Sequence, residues 1–173
     1  EISCSLVGSE MCIRDSYSFT QQMREVGRVP KTVDLDFETR DATKSVADRM
    51  NLHLGDKVIY MRRLRLADGV PMMLERTYVP LSHFLGFTKK DLEGKSLYAI
   101  IENDYHETIR VAEEEFFATV ARKDDAEVLG ISEGAPVLQL SRVTYNDKND
   151  VIEFTHSVAR ADQFKYKISH VRG

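Results

Sequence analysis

Cysteine is scarce in this sequence: there are two among 173 residues, Cys4 and Cys12. A disulfide framework or a cysteine-based zinc site is therefore excluded for everything beyond Ser16. A domain that folds without disulfides suits a reducing compartment, so we expect a cytoplasmic location.

Long apolar runs and an excess of positive charge are also missing. The longest purely apolar stretches span four or five residues, as in Leu97 to Ile101, whereas a membrane span needs about 20. Lysine and arginine total 24 against 28 aspartates and glutamates, for a net charge of −4. We therefore expect no membrane partner and no overall positive field that would attract nucleic acid.

Motifs for catalysis, metal binding and nucleotide binding are absent. The five histidines are scattered and form no H-x-H or H-E-x-x-H pattern, and there is no G-x-S-x-G or G-x-G-x-x-G sequence. The acidic run Glu113 to Glu115 is typical of a solvated stretch. We predict no catalytic residues, no metal site and no cofactor.

Apolar and polar residues alternate in short runs that predict strands, and most of these are joined by hairpins. The predicted strands cover residues 33–37, 58–66, 70–79, 108–120, 136–145, 151–160 and 164–171. Helical spacing covers 43–50, 97–103 and 124–130. This order predicts an α+β fold on a mostly antiparallel sheet of about six strands with inserted helices.

The chain divides into three unequal parts. Residues 1–16 lack a clear period and resemble translated adaptor or vector sequence, so we predict a non-native or unstructured segment there. Residues 17–28 are mostly polar, and Gly27 and Pro30 then break their near-helical spacing, as a linker leading into a domain would. Residues 29–172 form the predicted domain.

The first hairpin carries the strongest candidate site. Arg63 and Arg65 are two residues apart on one predicted strand, so both side chains leave the same face and can close on one anion. A three-residue turn at Ala67 to Gly69 would set Glu75 beside them, whereas a two-residue turn would set Glu75 opposite Arg62. The competing interpretation is a solvated face, and burial decides between the two.

Two further places could contact a ligand. Ser96 is the expected N-cap of the helix at 97–103, where free backbone N–H groups suit a phosphate, and Tyr98 lies one turn inside. Glu153 interrupts an apolar run, so its carboxylate needs a partner or a ligand hydroxyl if that face is buried. An ordinary cap, a core tyrosine and a solvent-facing glutamate are the alternatives.

Four segments in this order resemble one known family. They are RRLRLADGVPMMLERTYVP, GKSLYAI, GAPVLQLSRVTYNDKNDVIEF and VARADQFKY. They resemble the UTRA effector-binding domain of GntR-type, HutC-subfamily bacterial transcription regulators. The resemblance covers nearly everything from Gly27 to Val171.

The resemblance implies a chorismate-lyase-like fold, a homodimer and a pocket for a small metabolite, often a sugar phosphate. It implies that Arg63, Arg65, Ser96 and Tyr98 hold the anionic group while Glu75 and Glu153 bind hydroxyls, and it favours the three-residue turn. Such regulators bind operator DNA through an N-terminal winged helix-turn-helix domain. Residues 1–28 cannot supply one, so we expect this chain to sense rather than to bind DNA.

Two other functions remain open from sequence. One is a lyase that acts on an aromatic carboxylate such as chorismate through the same arginines, although a general acid or base other than Glu75 or Glu153 is lacking. The other is a dimerisation module whose pocket is empty.

Overall fold

The protein's computed structural model describes residues 19–164, and the segment predicted over 1–16 and nearly all of the strand predicted over 164–171 lie outside this range. The helices are α1 (Phe19–Glu25), α2 (Lys44–Met50), α3 (Leu97–Ala99) and α4 (Lys123–Leu129), with a 3-10 turn at Lys89–Leu92 and a π-helical turn at Ile100–Asp104. The strands are β1 (Pro30–Asp41), β2 (Lys57–Ala67), β3 (Val70–Pro80), β4 (Ile109–Val120), β5 (Pro136–Asn146) and β6 (Val151–Arg160).

These strands form one six-stranded antiparallel sheet in the order β1-β2-β3-β6-β5-β4. The two predicted hairpins are its β2–β3 and β5–β6 pairs, which meet where β3 lies beside β6. The predicted α+β class is confirmed. Within residues 19–164, no helix combines the length and the apolar character that crossing a membrane requires.

The β2–β3 hairpin differs from both predicted registers. Its turn has two residues, Asp68 and Gly69, with φ of 51° and 76°, the left-handed pair that a type I′ hairpin turn uses. The ladder then shifts by one residue, so that Arg63 lies directly opposite Glu75. The three-residue turn is therefore wrong, and so is the pairing of Glu75 with Arg62, because a β-bulge adds one residue to β3 after the short turn.

The sheet has two differently covered faces. The back face packs against α2 and α4 through two apolar clusters centred on Met50 and Leu129. The front face is covered by α1 and by the segment 81–108, which contribute Phe19 and Ile100 to two other clusters. Helix α1 falls within the predicted linker, and its buried face joins it to the sheet.

Candidate functional site

A polar strip separates the two apolar clusters of the front face. At its β2–β3 end, Arg63 and Glu75 are 4% and 6% exposed, so the solvated-face interpretation does not hold for them. The Arg63 guanidinium lies 3.2 Å from the Glu75 carboxylate, and the Arg65 Nε donates to the same carboxylate at 2.9 Å. Two cations therefore share one anion inside the fold.

The Arg63 guanidinium has unused capacity for an anion. Its Nε is buried and finds no hydrogen-bond partner among the described residues. Burial and the neighbouring Arg65 charge lower the pKa of Arg63 to about 10, although Glu75 opposes them. A buried cation whose charged form is disfavoured and whose donor is unpaired would be stabilised by a negative ligand group.

Glu75 is held as a carboxylate despite its burial. Burial alone would raise the pKa of Glu75, but the charges of Arg65 and Arg63 lower it below the usual 4.5. Arg65 has a second anchor, since one of its terminal nitrogens donates to Thr32 Oγ1 at 2.7 Å. With this second contact, the Arg65 guanidinium is held beside Glu75 at two of its nitrogens.

At the β5–β6 end of the strip, the fully buried Glu153 is satisfied by three neighbours. Arg142 donates to its carboxylate at 2.9 Å, and the hydroxyls of Thr144 and Thr155 donate to the two carboxylate oxygens. Burial lowers the pKa of Arg142, but the Glu153 carboxylate outweighs this and raises it above its usual value. A buried Glu153 was expected to need a partner, and the protein itself supplies three.

The structure places Tyr98 and Ser96 differently. The Tyr98 hydroxyl lies 2.9 Å from Thr144 Oγ1, and the Arg142 guanidinium lies 5.2 Å from the centre of the Tyr98 ring. Tyr98 thus belongs to the Glu153 cluster. Ser96 is the N-cap, as predicted, and its hydroxyl accepts from the backbone N–H of Ala99 at 3.1 Å. It is exposed and has no contact with the two arginines among the described residues.

A small cavity of about 40 Å³ opens on the strip. Its lining comes from α1, β3, β4, β5, β6 and the residue at the end of the described chain: Phe19, Gln22, Met73, Glu75, Glu114, Leu140, Arg142, Thr155, Ser157 and Phe164. This volume holds about two or three water molecules. The cavity therefore has polar groups for a ligand but little room for one while its walls stay in place.

Arg142 is the site residue that sequence reasoning missed. The available signal was its position in the second hairpin: Thr144 lies directly opposite Glu153, and Arg142 lies opposite Thr155. Residues two apart on a strand share a face, so Arg142 falls diagonally next to Glu153. Counting back from the predicted polar turn could have identified it as the partner that a buried Glu153 requires.

Acid should destabilise the fold through Glu75. A carboxyl whose folded pKa is depressed stabilises the fold above its unfolded pKa, and this stabilisation is lost as pH falls through the folded value. We expect the free energy of unfolding, measured with urea, to fall below about pH 4.5, the usual value for this group. Glu75→Gln should make that decline shallower, and the exposed Glu133→Gln should not; equal slopes would contradict the depressed pKa.

The model of the UTRA domain family matches residues 25–165 of this chain. The chain belongs to the UTRA domain family. This confirms the resemblance that the four sequence segments suggested. The UTRA match begins at Glu25, the last residue of α1, and includes all six strands.

Curated relatives of this UTRA domain are transcription regulators. The chain is 29% identical over 157 residues to the HTH-type transcriptional repressor NagR of Bacillus subtilis, covering 91% of this chain and 64% of that protein. It is 26% identical over 134 residues to the mannosyl-D-glycerate transport/metabolism system repressor MngR of Escherichia coli, covering 78% of this chain and 55% of that protein. The chain thus spans less than two thirds of these relatives. They support the prediction of a regulatory domain rather than an enzyme.

Solved structures share the UTRA fold. The effector domain of PhnF from Mycobacterium smegmatis matches with a TM-score of 0.80 at 22% identity, covering 89% of this chain and 95% of that one. A GntR-family transcriptional regulator from Enterococcus faecalis matches with a TM-score of 0.76 at 21% identity, covering 81% of this chain and 100% of that one. The architecture of the sheet is therefore that of GntR-family effector domains.

Proposed function

We propose that this UTRA domain senses a small anionic metabolite, a phosphorylated sugar, and controls the operator affinity of a cytoplasmic, homodimeric transcription regulator. DNA contact belongs to an N-terminal winged helix-turn-helix domain, as in the family. The observation that carries the proposal is the buried Arg63, with its unpaired Nε. It lies with Arg65 directly behind Glu75, which lines the cavity.

The division of labour follows from the charges along the strip. Arg63 and Arg65 supply donors for a phosphate, because guanidinium groups match phosphate oxygens in pairs. Glu75, which lines the cavity, supplies an acceptor for sugar hydroxyls. Glu153 would accept a sugar hydroxyl in exchange for one of its three present donors. Tyr98 already lies against the strip at Thr144, so we assign it and the neighbouring Ser96 to the Glu153 end of the ligand.

The size of the cavity supports a conformational response. A phosphorylated hexose exceeds about 40 Å³, since that volume holds only a few waters. Binding must therefore displace a wall, and one wall is α1, which contributes Phe19 and Gln22. The Arg65 guanidinium also lies 5.9 Å from the centre of the Phe19 ring, so an anion that draws on Arg65 acts on α1 as well.

Helix α1 is thus our proposed link between ligand and DNA. It precedes β1 and is the described element nearest the N-terminal side of the chain. A coupling of about 1–3 kcal/mol would change operator affinity by about 5- to 150-fold.

A thermal-shift screen of the 173-residue chain tests the proposal. The panel is hexose 6-phosphates, the matching free hexoses, inorganic phosphate and chorismate. A phosphorylated sugar at 100 times its dissociation constant should stabilise the fold by about 2.7 kcal/mol, seen as a rise in Tm. The free hexose should have a much smaller effect, because it lacks the group that the arginines neutralise.

The outcomes separate the rival functions. Stabilisation by phosphorylated sugars but not by free hexoses supports the proposal. If no polar anion shifts Tm, the domain is a dimerisation module with an empty pocket and the sensor proposal is wrong. Chorismate should neither raise Tm nor be converted to product.

A further inference from the structure

A second and larger cavity lies on the back face of the sheet. It has a volume of about 560 Å³ and lies between α2 and the outer strands β4 and β5. Ligand pockets in proteins are typically about 300–1,000 Å³. This groove therefore has the room that the front cavity lacks, and the function proposed above leaves it unused.

A row of polar side chains crosses the floor of the groove. On neighbouring strands, Arg76 lies directly opposite His156, His156 opposite Ser141, and Ser141 opposite Glu115. Neighbouring strands are about 4.8 Å apart, so these four side chains form a continuous line on one face. A ligand lying across the strands would meet all of them.

Aromatic rings flank this row on both sides. Phe117 is 62% exposed at the β4 edge, an unusual position for a large apolar ring. On the other side, the rings of Tyr78 and Phe154 are stacked with centroids 5.9 Å apart. These surfaces suit a flat apolar ring better than they suit a sugar.

Among the described residues, one cation of the groove is open to an anion. Arg76 is already paired with Asp125, which leaves Arg49. Arg49 reaches in from α2, donating to Ser141 Oγ at 3.1 Å, and its guanidinium lies 5.6 Å from the centre of the Phe154 ring. Its nearest acid is Glu115, at 4.0 Å and largely exposed, a separation at which solvent screens the attraction.

His156 lies in the polar row, directly between Arg76 and Ser141. It makes no hydrogen bond to the described residues. Burial lowers the pKa of His156, and the charges of Arg76, Arg122 and Arg49 act in the same direction, while Asp125 opposes them. The imidazole is therefore an unpaired polar group that arginine charges surround.

We propose that the back-face groove is a second ligand site, for a small aromatic carboxylate. The ring of the ligand covers Phe117, and its carboxylate accepts from Arg49 and His156. The ring would cover the exposed Phe117, and the carboxylate would pair with Arg49, whose acidic neighbour Glu115 is 4.0 Å away and largely exposed. This site is distinct from the front cavity, because its side chains leave the opposite face of the sheet.

Ligand-observed NMR titration of the full chain tests this site with benzoate. Acetate, which has the charge without the ring, and benzyl alcohol, which has the ring without the charge, are the comparators. Benzoate should bind in the millimolar range or more tightly, and each comparator should bind at least about fivefold more weakly.

Variants locate the binding. Arg49→Gln and Phe117→Ser change exposed side chains, so the fold should persist, and each should weaken benzoate binding about three- to tenfold. Arg40→Gln is the matched control, because Arg40 also lies on an aromatic ring, 3.6 Å from the centre of Tyr60, but outside the groove. It should leave benzoate affinity unchanged.

A second control separates this site from the front cavity. Arg65→Ala should leave benzoate binding intact, and Arg49→Gln should leave the response to a phosphorylated sugar intact. Loss of benzoate binding in Arg65→Ala would assign the probe to the front cavity and overturn the proposal. So would equal affinity for benzoate and acetate, or a Phe117→Ser variant that changes only self-association in sedimentation velocity.

Discussion

Replacing Arg65 by alanine is expected to weaken the binding of a phosphorylated sugar by about 1.5–3 kcal/mol, roughly a ten- to 150-fold rise in Kd. The loss follows from removing a charge-assisted donor beside Glu75, which lines the cavity. Glu75 would keep Arg63 as its partner at 3.2 Å, so the fold should survive. Isothermal titration calorimetry of the two proteins measures the effect.

The matched control for Arg65→Ala is Arg62→Ala. Arg62 is on the same strand and also has an acidic partner, since its Nε lies 3.0 Å from Asp36. Its side chain, however, projects from the back face of the sheet, away from the front cavity. Its loss should change Kd by less than about twofold. Equal affinities in the wild type and Arg65→Ala would remove the arginine pair from the site and refute the sensor proposal.

Replacing Glu153 by alanine should cost about 3–5 kcal/mol of unfolding free energy, because it leaves a buried guanidinium without its counter-charge. Glu153 is fully buried, and Arg142 has only Glu114, at 3.7 Å, as another acidic contact within ion-pair distance among the described residues. Urea denaturation followed by circular dichroism gives the value. An effect this large would remove a substantial part of the about 5–15 kcal/mol of total stability that small domains have.

A double variant shows whether Glu153→Ala destabilises the fold through the unpaired charge of Arg142 or through lost packing. Arg142→Met combined with Glu153→Leu removes both charges, so it should be more stable than Glu153→Ala alone. Glu115→Gln, at an exposed ion pair on the back face, should change stability by less than about 0.5 kcal/mol. A double variant that is less stable than the single one would show that packing, rather than charge, dominates at this position.

The period of a strand predicted much of this site. Arg63 and Arg65 share a face because they are two residues apart, and both contact Glu75, Arg63 from a buried position and Arg65 from a half-buried one. The exact opposition of Arg63 and Glu75 could not be derived, since it depends on a two-residue turn followed by a bulge. A bulge depends on local backbone geometry that no periodic pattern records.

Contacts between distant elements were also beyond the sequence. The N-cap at Ser96 was predictable from local chemistry and is confirmed, whereas the link from Tyr98 to Thr144 joins residues 46 positions apart. The packing of α1 against the sheet was hidden for a different reason. A short helix with two buried residues, Phe19 and Met23, resembles a linker until its partner surface is known.

The two cavities lie on opposite faces of the same strands, β5 and β6. Residues on β5 and β6 alternate between them: Arg142 and Thr155 face the front, while Ser141 and His156 face the back. A shift of either strand therefore moves residues that line the front cavity and residues that line the back-face groove at the same time. Any energetic communication across the sheet must be reciprocal, so occupancy on one side would alter affinity on the other by the same factor in both directions.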